Sequence, residues 1–372
     1  MKNSVWNRIT VCLFAAALLA VPAYWLLAPK ADFSASERRY LAELPDLGKQ
    51  NPAQWTWDDD FEAYLADHLP LRDAFVGVDA YMELLSGRQV GKSVWMDAQG
   101  ALVEAPAAYD SKEIEKRLNR IERLAESTGL RTYVLAIPGN GFVRREKLPP
   151  SLARLYRDAE ALEQIAAHPG YTPVPIVQRF EAEGQDWYYR TDHHWTGDGA
   201  FAAYEQFMQT SGRAALTRDD FFRRTVAGYT GSTRSRSALW LTAADTLQID
   251  EPIDVPVSVT FSDEEAVYDS LFFEEHLSEY DWYPLFLDGN HPVTVIENRT
   301  GAAQGTLLMV KDSFGNTLAP LLVPSFGRIV MVDPRYYRGA VSELAAAYEA
   351  DELLFCYSLE RLCTDLNLLR LQ

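Results

Sequence analysis

Two short stretches of this sequence hold the residue types from which acyl-transfer chemistry can be built. The first runs Trp187-Tyr188-Tyr189-Arg190-Thr191-Asp192-His193-His194-Trp195-Thr196, an acid and two histidines in a row among aromatics. An acid beside a histidine can hold the imidazole in one tautomer and stabilise its charged form. In extended backbone alternate side chains share a face, so Asp192 and His194 would point one way and His193 the other. The competing explanation is that Asp192 caps a helix starting near Thr196 while the histidines merely pack. The second stretch is Val310-Lys311-Asp312-Ser313-Phe314-Gly315-Asn316. A serine directly after an apolar strand and at the start of a helix lies at the strand's carboxyl end, where backbone N–H groups can stabilise an oxyanion. An ordinary serine helix cap would look the same. Together the two stretches supply a nucleophile, a base and an orienting acid. A third, from Tyr283 to Pro292, contains Gly289 and Asn290. Gly289 permits close backbone approach and Asn290 offers a side-chain NH2 to a developing oxyanion, unless the segment is only a turn before a strand over Val293–Glu297.

The elements around these residues read as an α/β domain. Lys112 to Thr128 is amphipathic, with Ile114, Leu118, Ile121 and Leu124 on one face and Gly129 as its stop. Thr132–Ile137 follows as a continuous apolar run that ends at Pro138-Gly139-Asn140-Gly141, the kind of strand found in parallel sheets covered on both faces. The same grammar recurs at the C-terminal end. Strands are expected at Thr306–Val310, Arg328–Val332 and Glu352–Tyr357, with helices at Phe314–Leu322 and 340–350 between them. That order is the signature of a doubly wound parallel sheet flanked by helices. Residues 217–288, richer in Thr, Asp and aromatics, read as a β-rich insertion. Residues 58–85 read as two helices joined near Pro70, and residues 30–60 as a lead-in lying on the surface.

Composition narrows the partners. The chain has 372 residues and is 48% apolar, enough for one large domain or two modest ones, each with a real core. Thirty-five basic against 53 acidic side chains leave a net charge of −18, which repels phosphate backbones, so nucleic acid is not an expected partner. The three cysteines, Cys12, Cys356 and Cys363, make no disulfide framework or Cys-rich zinc site. Lys2 and Arg8 precede an uncharged run from Ile9 to Pro29 that, as a helix rising about 1.5 Å per residue, would span roughly 32 Å. Residues 1–30 therefore read as a membrane anchor with Pro22 as a kink. The rival is a signal peptide cut after the small residues Val21 and Ala23, and both send residues 31–372 across the membrane.

Two other functions stand beside acyl transfer. A metal centre would use His194, Asp192 and His291. Adjacent histidines cannot both face one ion in extended backbone, and no His-x3-His helix pair occurs, so no metal or other cofactor is expected. A non-catalytic glycan-binding protein would stack sugars on Tyr188, Tyr189, Trp195, Trp282 and Tyr283. At strand or helical spacing, such aromatics are more often core.

The string Asp192-His193-His194-Trp195 resembles the motif that names the DHHW family, proteins similar to the alginate O-acetylation proteins of the SGNH-hydrolase-like group. The resemblance spans nearly all of the chain beyond the apolar segment. It includes Phe33-Ser34 with Glu37-Arg38-Arg39, Phe61-Glu62 with Tyr64 and Asp67, and Leu71-Arg72-Asp73. Gly199-Ala200, Ala203-Tyr204, Gly231-Ser232, Gly289-Asn290, Lys311-Asp312-Ser313, Asp333 and Arg335 follow in order. It implies an SGNH-like fold, with Ser313 as nucleophile, His194 as general base, Asp192 as its orienting acid, and Gly289 and Asn290 as weaker candidates for the oxyanion. It further implies an extracytoplasmic O-acetyltransferase or acetylesterase of a cell-surface polysaccharide, working with a membrane-bound O-acyltransferase that supplies acetyl groups. Asp and His precede Ser along the chain, the reverse of ordinary SGNH hydrolases, which a triad defined by geometry tolerates. The Pro138–Gly141 loop departs from the more basic loop of relatives.

Overall fold

The computed structural model describes residues 2–46, 56–88 and 94–372. Contacts within the chain gather into two units, residues 1–88 with 235–240, and residues 89–234 with 241–372.

The larger unit is built on an eight-stranded sheet. Its strands are β1 (Arg131–Ile137), β2 (Thr172–Pro173), β5 (Val257–Phe261), β6 (Val267–Tyr268), β7 (Val293–Asn298), β8 (Thr306–Lys311), β9 (Arg328–Val332) and β10 (Glu352–Ser358). Between β2 and β5 in the chain, β3 (Phe221–Tyr229) and β4 (Asp245–Pro252) form a separate antiparallel ribbon. The sheet order is β6-β5-β7-β9-β8-β10-β1-β2. From β9 to β2 every pairing is parallel, and from β6 to β9 every pairing is antiparallel. The sheet is thus mostly parallel rather than wholly so. Of the β-rich stretch 217–288, β3 and β4 stand apart, whereas β5 and β6 extend the main sheet through β7.

The parallel strands are apolar along their length because helices cover both faces. Every residue of β8 is buried, and β10 is buried from Glu352 to Tyr357. Helix α4 (Ser111–Thr128) buries Ile114, Leu118, Ile121 and Leu124. It begins where the Asp110 carboxylate accepts from the N–H groups of Lys112 and Glu113, and ends at Gly129 in the left-handed region, φ 67°. Helices α5 (Gly197–Ser211), α6 (Gly315–Leu322) and α7 (Val341–Ala347) complete the layers.

The smaller unit holds α1 (Lys2–Leu27), α2 (Trp57–Asp67) and α3 (Arg72–Leu85). Helix α1 runs through Pro22, and its stretch Val5–Leu27, with a mean hydropathy of 2.1, is long and apolar enough to cross a membrane. The break expected near Pro70 lies between α2 and α3, where Leu71 takes a positive φ of 60°. Of the surface lead-in over 30–60, residues 47–55 lie outside the described residues. The rest of it carries ion pairs. The Arg39 guanidinium grips Asp67 with both terminal nitrogens and its Nε lies 2.6 Å from Glu37, which also pairs with Arg72. The hydrogen bond from Arg39 holds the Asp67 carboxyl down to about 2. The motif residues Glu37, Arg39, Asp67 and Arg72 therefore tie the lead-in to the two helices.

Leu308 sits at the middle of β8, fully buried and flanked by Val330 and Leu353. Leu308→Ala should lower stability by about 2–5 kcal/mol, read as a reduced urea midpoint at unchanged denaturant slope. A shift near zero would mean the sheet centre is not the core.

Candidate active site

The parallel strands β1, β8 and β10 end side by side, and their carboxyl ends carry Pro138-Gly139, Asp312-Ser313 and Ser358. In open α/β sheets this edge is where ligands bind. The turn after β8 is shaped by Asp312. Its Oδ1 accepts from the Phe314 N–H at 3.0 Å, and its Oδ2 accepts from the Ser358 N–H and hydroxyl at 2.9 and 2.8 Å. Asp312 therefore holds the turn ahead of α6, whose N-terminus has no side-chain cap, and the Ser313 hydroxyl is directed elsewhere. The Ser313 Oγ lies 2.7 Å from His194 Nε2.

The Asp-His segment is not extended. Its ends are pinned by a bridge between Tyr188 and Trp195, and the residues between form a tight turn. Asp192 Oδ1 accepts from the His194 backbone N–H at 2.9 Å and lies 2.6 Å from His194 Nδ1. This side-chain turn, rather than strand alternation, joins acid and base. It corrects the expectation for His193. That ring lies beside His194, with centroids 3.9 Å apart, and its Nδ1 is 3.2 Å from Asp192 and 3.1 Å from Ser232 Oγ. Asp192 does not cap the following helix; Thr196 does, accepting from Gly199.

Asp192 is 1% exposed, and its buried charge is matched by donors on both oxygens. Oδ2 accepts from the Tyr229 hydroxyl at 3.0 Å and from the Ser232 N–H at 2.6 Å. Burial alone would raise this carboxyl, but the charges of His194 and His193 and the bonds from the His194 ring and backbone hold it well below its ordinary value. With Asp192 ionised, Nδ1 of His194 carries the hydrogen and donates to it, leaving Nε2 to accept from the Ser313 hydroxyl. Burial, then the neighbouring His193 charge, pushes the His194 imidazole below its ordinary value against the pull of Asp192. The imidazole is thus held neutral, with Nε2 able to accept. Tyr283 stacks flat on it, with centroids 3.7 Å apart at 14°, and Phe314 closes another side.

The ribbon β3–β4 clamps the turn. Asp245, at the start of β4, accepts from the Arg190 and Thr191 N–H groups and the Thr191 hydroxyl, while the Gly231 N–H donates to Thr191 Oγ1. Gly231 must be glycine, since a Cβ there would meet Asp192 Cβ at 2.2 Å. Tyr229, Gly231 and Asp245 are the site residues that sequence reasoning left unassigned. Gly231-Ser232 was visible only as a shared dipeptide, and its reason is this close approach.

Gly289 and Asn290 lie beside the turn that carries Ser313. The backbone there is strained, with Leu287, Asp288 and Gly289 all at positive φ. The Gly289 N–H donates to Phe286 O at 3.2 Å, and its carbonyl accepts from Asn316 Nδ2 at 2.8 Å. Asn290 Oδ1 accepts from Lys311 Nζ at 2.8 Å and Asn316 Nδ2 at 3.3 Å, so the Asn290 amide has its NH2 left to offer. Lys311, 1% exposed, also reaches Asn316 Oδ1 at 2.7 Å and lies 3.6 Å from Asp333, which is held by Arg335. Burial pushes the Lys311 ammonium down to about 8 against the pull of Asp333.

Among the described residues, Asp192, His193 and His194 could offer a cation ligand atoms within 4.8 Å of one another, which the extended reading had ruled out. Both His194 ring nitrogens are already engaged, so an ion would have to break the bonds to Asp192 or Ser313. His291 is not part of that group. It bonds Asp263 at 2.9 Å and stacks on Phe261. Tyr188, Tyr189, Trp195 and Tyr283 are buried, which makes them core aromatics rather than a sugar platform.

Residues 177–332 match the DHHW protein family. No curated protein sequence matches the chain. Among solved structures, a DHHW family protein from Eubacterium siraeum is 19% identical, with 74% of this chain and 93% of that one covered and a TM-score of 0.64. Bacillus cereus PatB1 is 24% identical, with 75% and 99% covered and a TM-score of 0.65. PatB1 has also been solved with a sulfonyl adduct, matching at 22% identity, the same coverage and a TM-score of 0.63. At these identities the likeness is one of fold alone.

Gly231→Ala should cut kcat of any Ser313-dependent reaction about a hundredfold by displacing the Asp192 carboxylate, with the circular dichroism spectrum unchanged. Unaltered kcat would mean that Asp192 does not orient the base. Because the active imidazole must be neutral and burial depresses its proton affinity, the acid limb of kcat/KM should lie below the ordinary histidine value of about 6.5. A limb above it would reverse the assigned balance between burial and Asp192.

Proposed function

We propose that this chain is an extracytoplasmic, serine-dependent O-acetyltransferase or acetylesterase acting on a cell-surface polysaccharide. The observation that carries the reading is the hydrogen-bonded line from Ser313 Oγ through His194 to Asp192, at 2.7 and 2.6 Å. Its order of nucleophile, base and buried acid is what covalent acyl transfer requires. Its place at the carboxyl ends of the parallel strands is where such a fold presents a substrate.

In this mechanism the Ser313 Oγ bonds to the acetyl carbonyl carbon as His194 Nε2 takes its proton. The imidazolium is stabilised by Asp192 and returns the proton to the departing oxygen as the carbonyl re-forms. An acetyl ester remains on Ser313. A sugar hydroxyl then attacks that ester, gives its proton to Nε2, and leaves acetylated as Ser313 recovers the proton. Water in place of the sugar makes the enzyme an esterase. The Asn290 NH2 is the proposed donor to the oxyanion, with Lys311 and Asn316 orienting the amide through its oxygen. Gly289 serves that loop through its positive φ of 84°, since its N–H already bonds Phe286. Helix α1 is the proposed tether that keeps the rest of the chain at the outer membrane face, near a membrane-bound acyltransferase that supplies acetyl groups.

The test is hydrolysis of 4-nitrophenyl acetate by the full chain in detergent, beside Ser313→Ala and His194→Ala. Each variant should lose at least about a thousandfold in kcat/KM, and mass spectrometry should find an acetyl group on Ser313. Hydrolysis undiminished in Ser313→Ala would remove the serine mechanism, and no hydrolysis by any of the three proteins would favour the glycan-binding reading.

A further inference from the structure

At the antiparallel end of the sheet, two histidines outside the proton relay point the same ring nitrogen at one carboxylate. His276, in the short 3-10 helix Glu274–Ser278, brings Nε2 to 2.5 Å from Asp288 Oδ1. His291, just ahead of β7, brings Nε2 to 3.5 Å from Asp288 Oδ2 and 3.2 Å from the Asp288 carbonyl oxygen. The opposite nitrogens face carboxylates too. Nδ1 of His276 lies 3.0 Å from Glu279, and Nδ1 of His291 lies 2.9 Å from Asp263. Glu264, in the turn after β5, joins the group, since it, Asp288 and His291 offer ligand atoms within 4.8 Å of one another. The Tyr268 hydroxyl steadies it by donating to its Oε2 at 2.8 Å.

This is the arrangement in which histidine binds metals. A carboxylate that takes the Nδ1 hydrogen fixes the tautomer and leaves the Nε2 lone pair bare. Here each bare Nε2 would face only oxygens, and two lone pairs in contact repel unless a proton or a cation lies between them. His291 is buried, with its ring stacked on Phe261 at 3.8 Å and 15°, so it is held in that orientation. Asp288 differs from Asp192 in one respect that matters for an ion. The oxygens of Asp192 are filled by tyrosine and backbone donors, whereas among the described residues the Asp288 carboxylate meets only the two rings. Asp263, Glu264, Glu279 and Asp288 together surround two imidazoles, and among the described residues no lysine or arginine pairs with any of the four.

We infer that His276, Asp288, His291 and Glu264 form a binding site for a divalent cation of the zinc type, with Asp263 and Glu279 orienting the two rings. Two imidazole nitrogens and two carboxylate oxygens suit zinc better than the all-oxygen preference of calcium or magnesium. The 3.5 Å between His291 Nε2 and Asp288 Oδ2 is close to the spacing of two ligands that each lie about 2.0–2.1 Å from one tetrahedral ion. On binding, the ion takes the place of the proton between His276 and Asp288, and that proton leaves to solvent. The ligands come from three segments, the turn after β5, the 274–278 helix and the loop before β7, so the ion would tie them together. Asp288 has a positive φ of 54°, between Leu287 and Gly289, which also lie at positive φ. The ion therefore secures a strained stretch that leads directly to Asn290. Its role is structural and lies apart from the serine chemistry. Residue types alone set His291 with His194 and Asp192; its neighbours in space are His276 and Asp288.

The test uses the full chain in detergent, free of any histidine tag and stripped of metal with EDTA. Calorimetric titration with Zn2+ should show one saturable site with a Kd of about 1 μM or tighter, and about 100 μM Zn2+ should raise Tm by at least about 3 °C. His276→Gln, on the more open side of the site, should weaken binding at least about a hundredfold, and Asp263→Asn about tenfold through the orientation of His291. Ser313→Ala and His194→Ala should bind as the unaltered chain does, so the result does not depend on the acetyl-serine mechanism. No saturable binding by the unaltered chain would overturn the inference and leave the two rings as imidazolium partners of the carboxylates. Binding lost in His194→Ala but kept in His276→Gln would also overturn it, by placing the ion at Asp192. Calcium binding as tightly as zinc would overturn the assignment of the cation.

Discussion

The whole site hangs on one buried carboxylate. Asp192 sits almost out of contact with water, and a charge there is tolerable only if its oxygens are filled by hydrogen-bond donors. They are filled by the His194 ring and backbone, the Tyr229 hydroxyl and the Ser232 N–H. Each of those donors belongs to a piece of chain that must then be held in place. The backbone bond makes the turn at 192–194, Tyr229 ends the ribbon strand β3, and Ser232 can reach only because residue 231 has no side chain. Satisfying one charge therefore recruits the ribbon that stands apart from the main sheet.

On the other side of His194, the same requirement recurs around Asp312 and Lys311, both buried at the end of β8. Asp312 uses its two oxygens on the turn that carries Ser313 and on the end of β10, and so registers adjacent strand ends against each other. Lys311 carries its charge into the protein and finds Asn290, Asn316 and, at 3.6 Å, Asp333. The price of burying a cation is visible in its depressed proton affinity, and its return is an ordered pair of amides beside Ser313. Strain in the backbone at 287–289 is found in the same place. Charge burial and backbone strain thus converge on the few residues around the serine, while the sheet beneath is ordinary apolar packing.

Residue types and local periodicity were enough to foresee much of this protein. The apolar runs at 131–137, 306–311, 328–332 and 352–358 and the amphipathic stretch of α4 declare themselves as strands and helix, because burial on both faces or on one leaves a regular pattern. Ser313, His194 and Asp192 could likewise be named from their chemistry and from a motif. What sequence could not convey was the geometry of contact. Alternation placed His193 away from Asp192, yet a side-chain turn brings both rings to it, since a local hydrogen bond outweighs the extended preference of a short loop. The antiparallel edge of the sheet and the clamp from β3 and β4 each join segments tens of residues apart. Only tertiary packing decides such pairings, because the partner that satisfies a buried polar group is chosen by space rather than by distance along the chain.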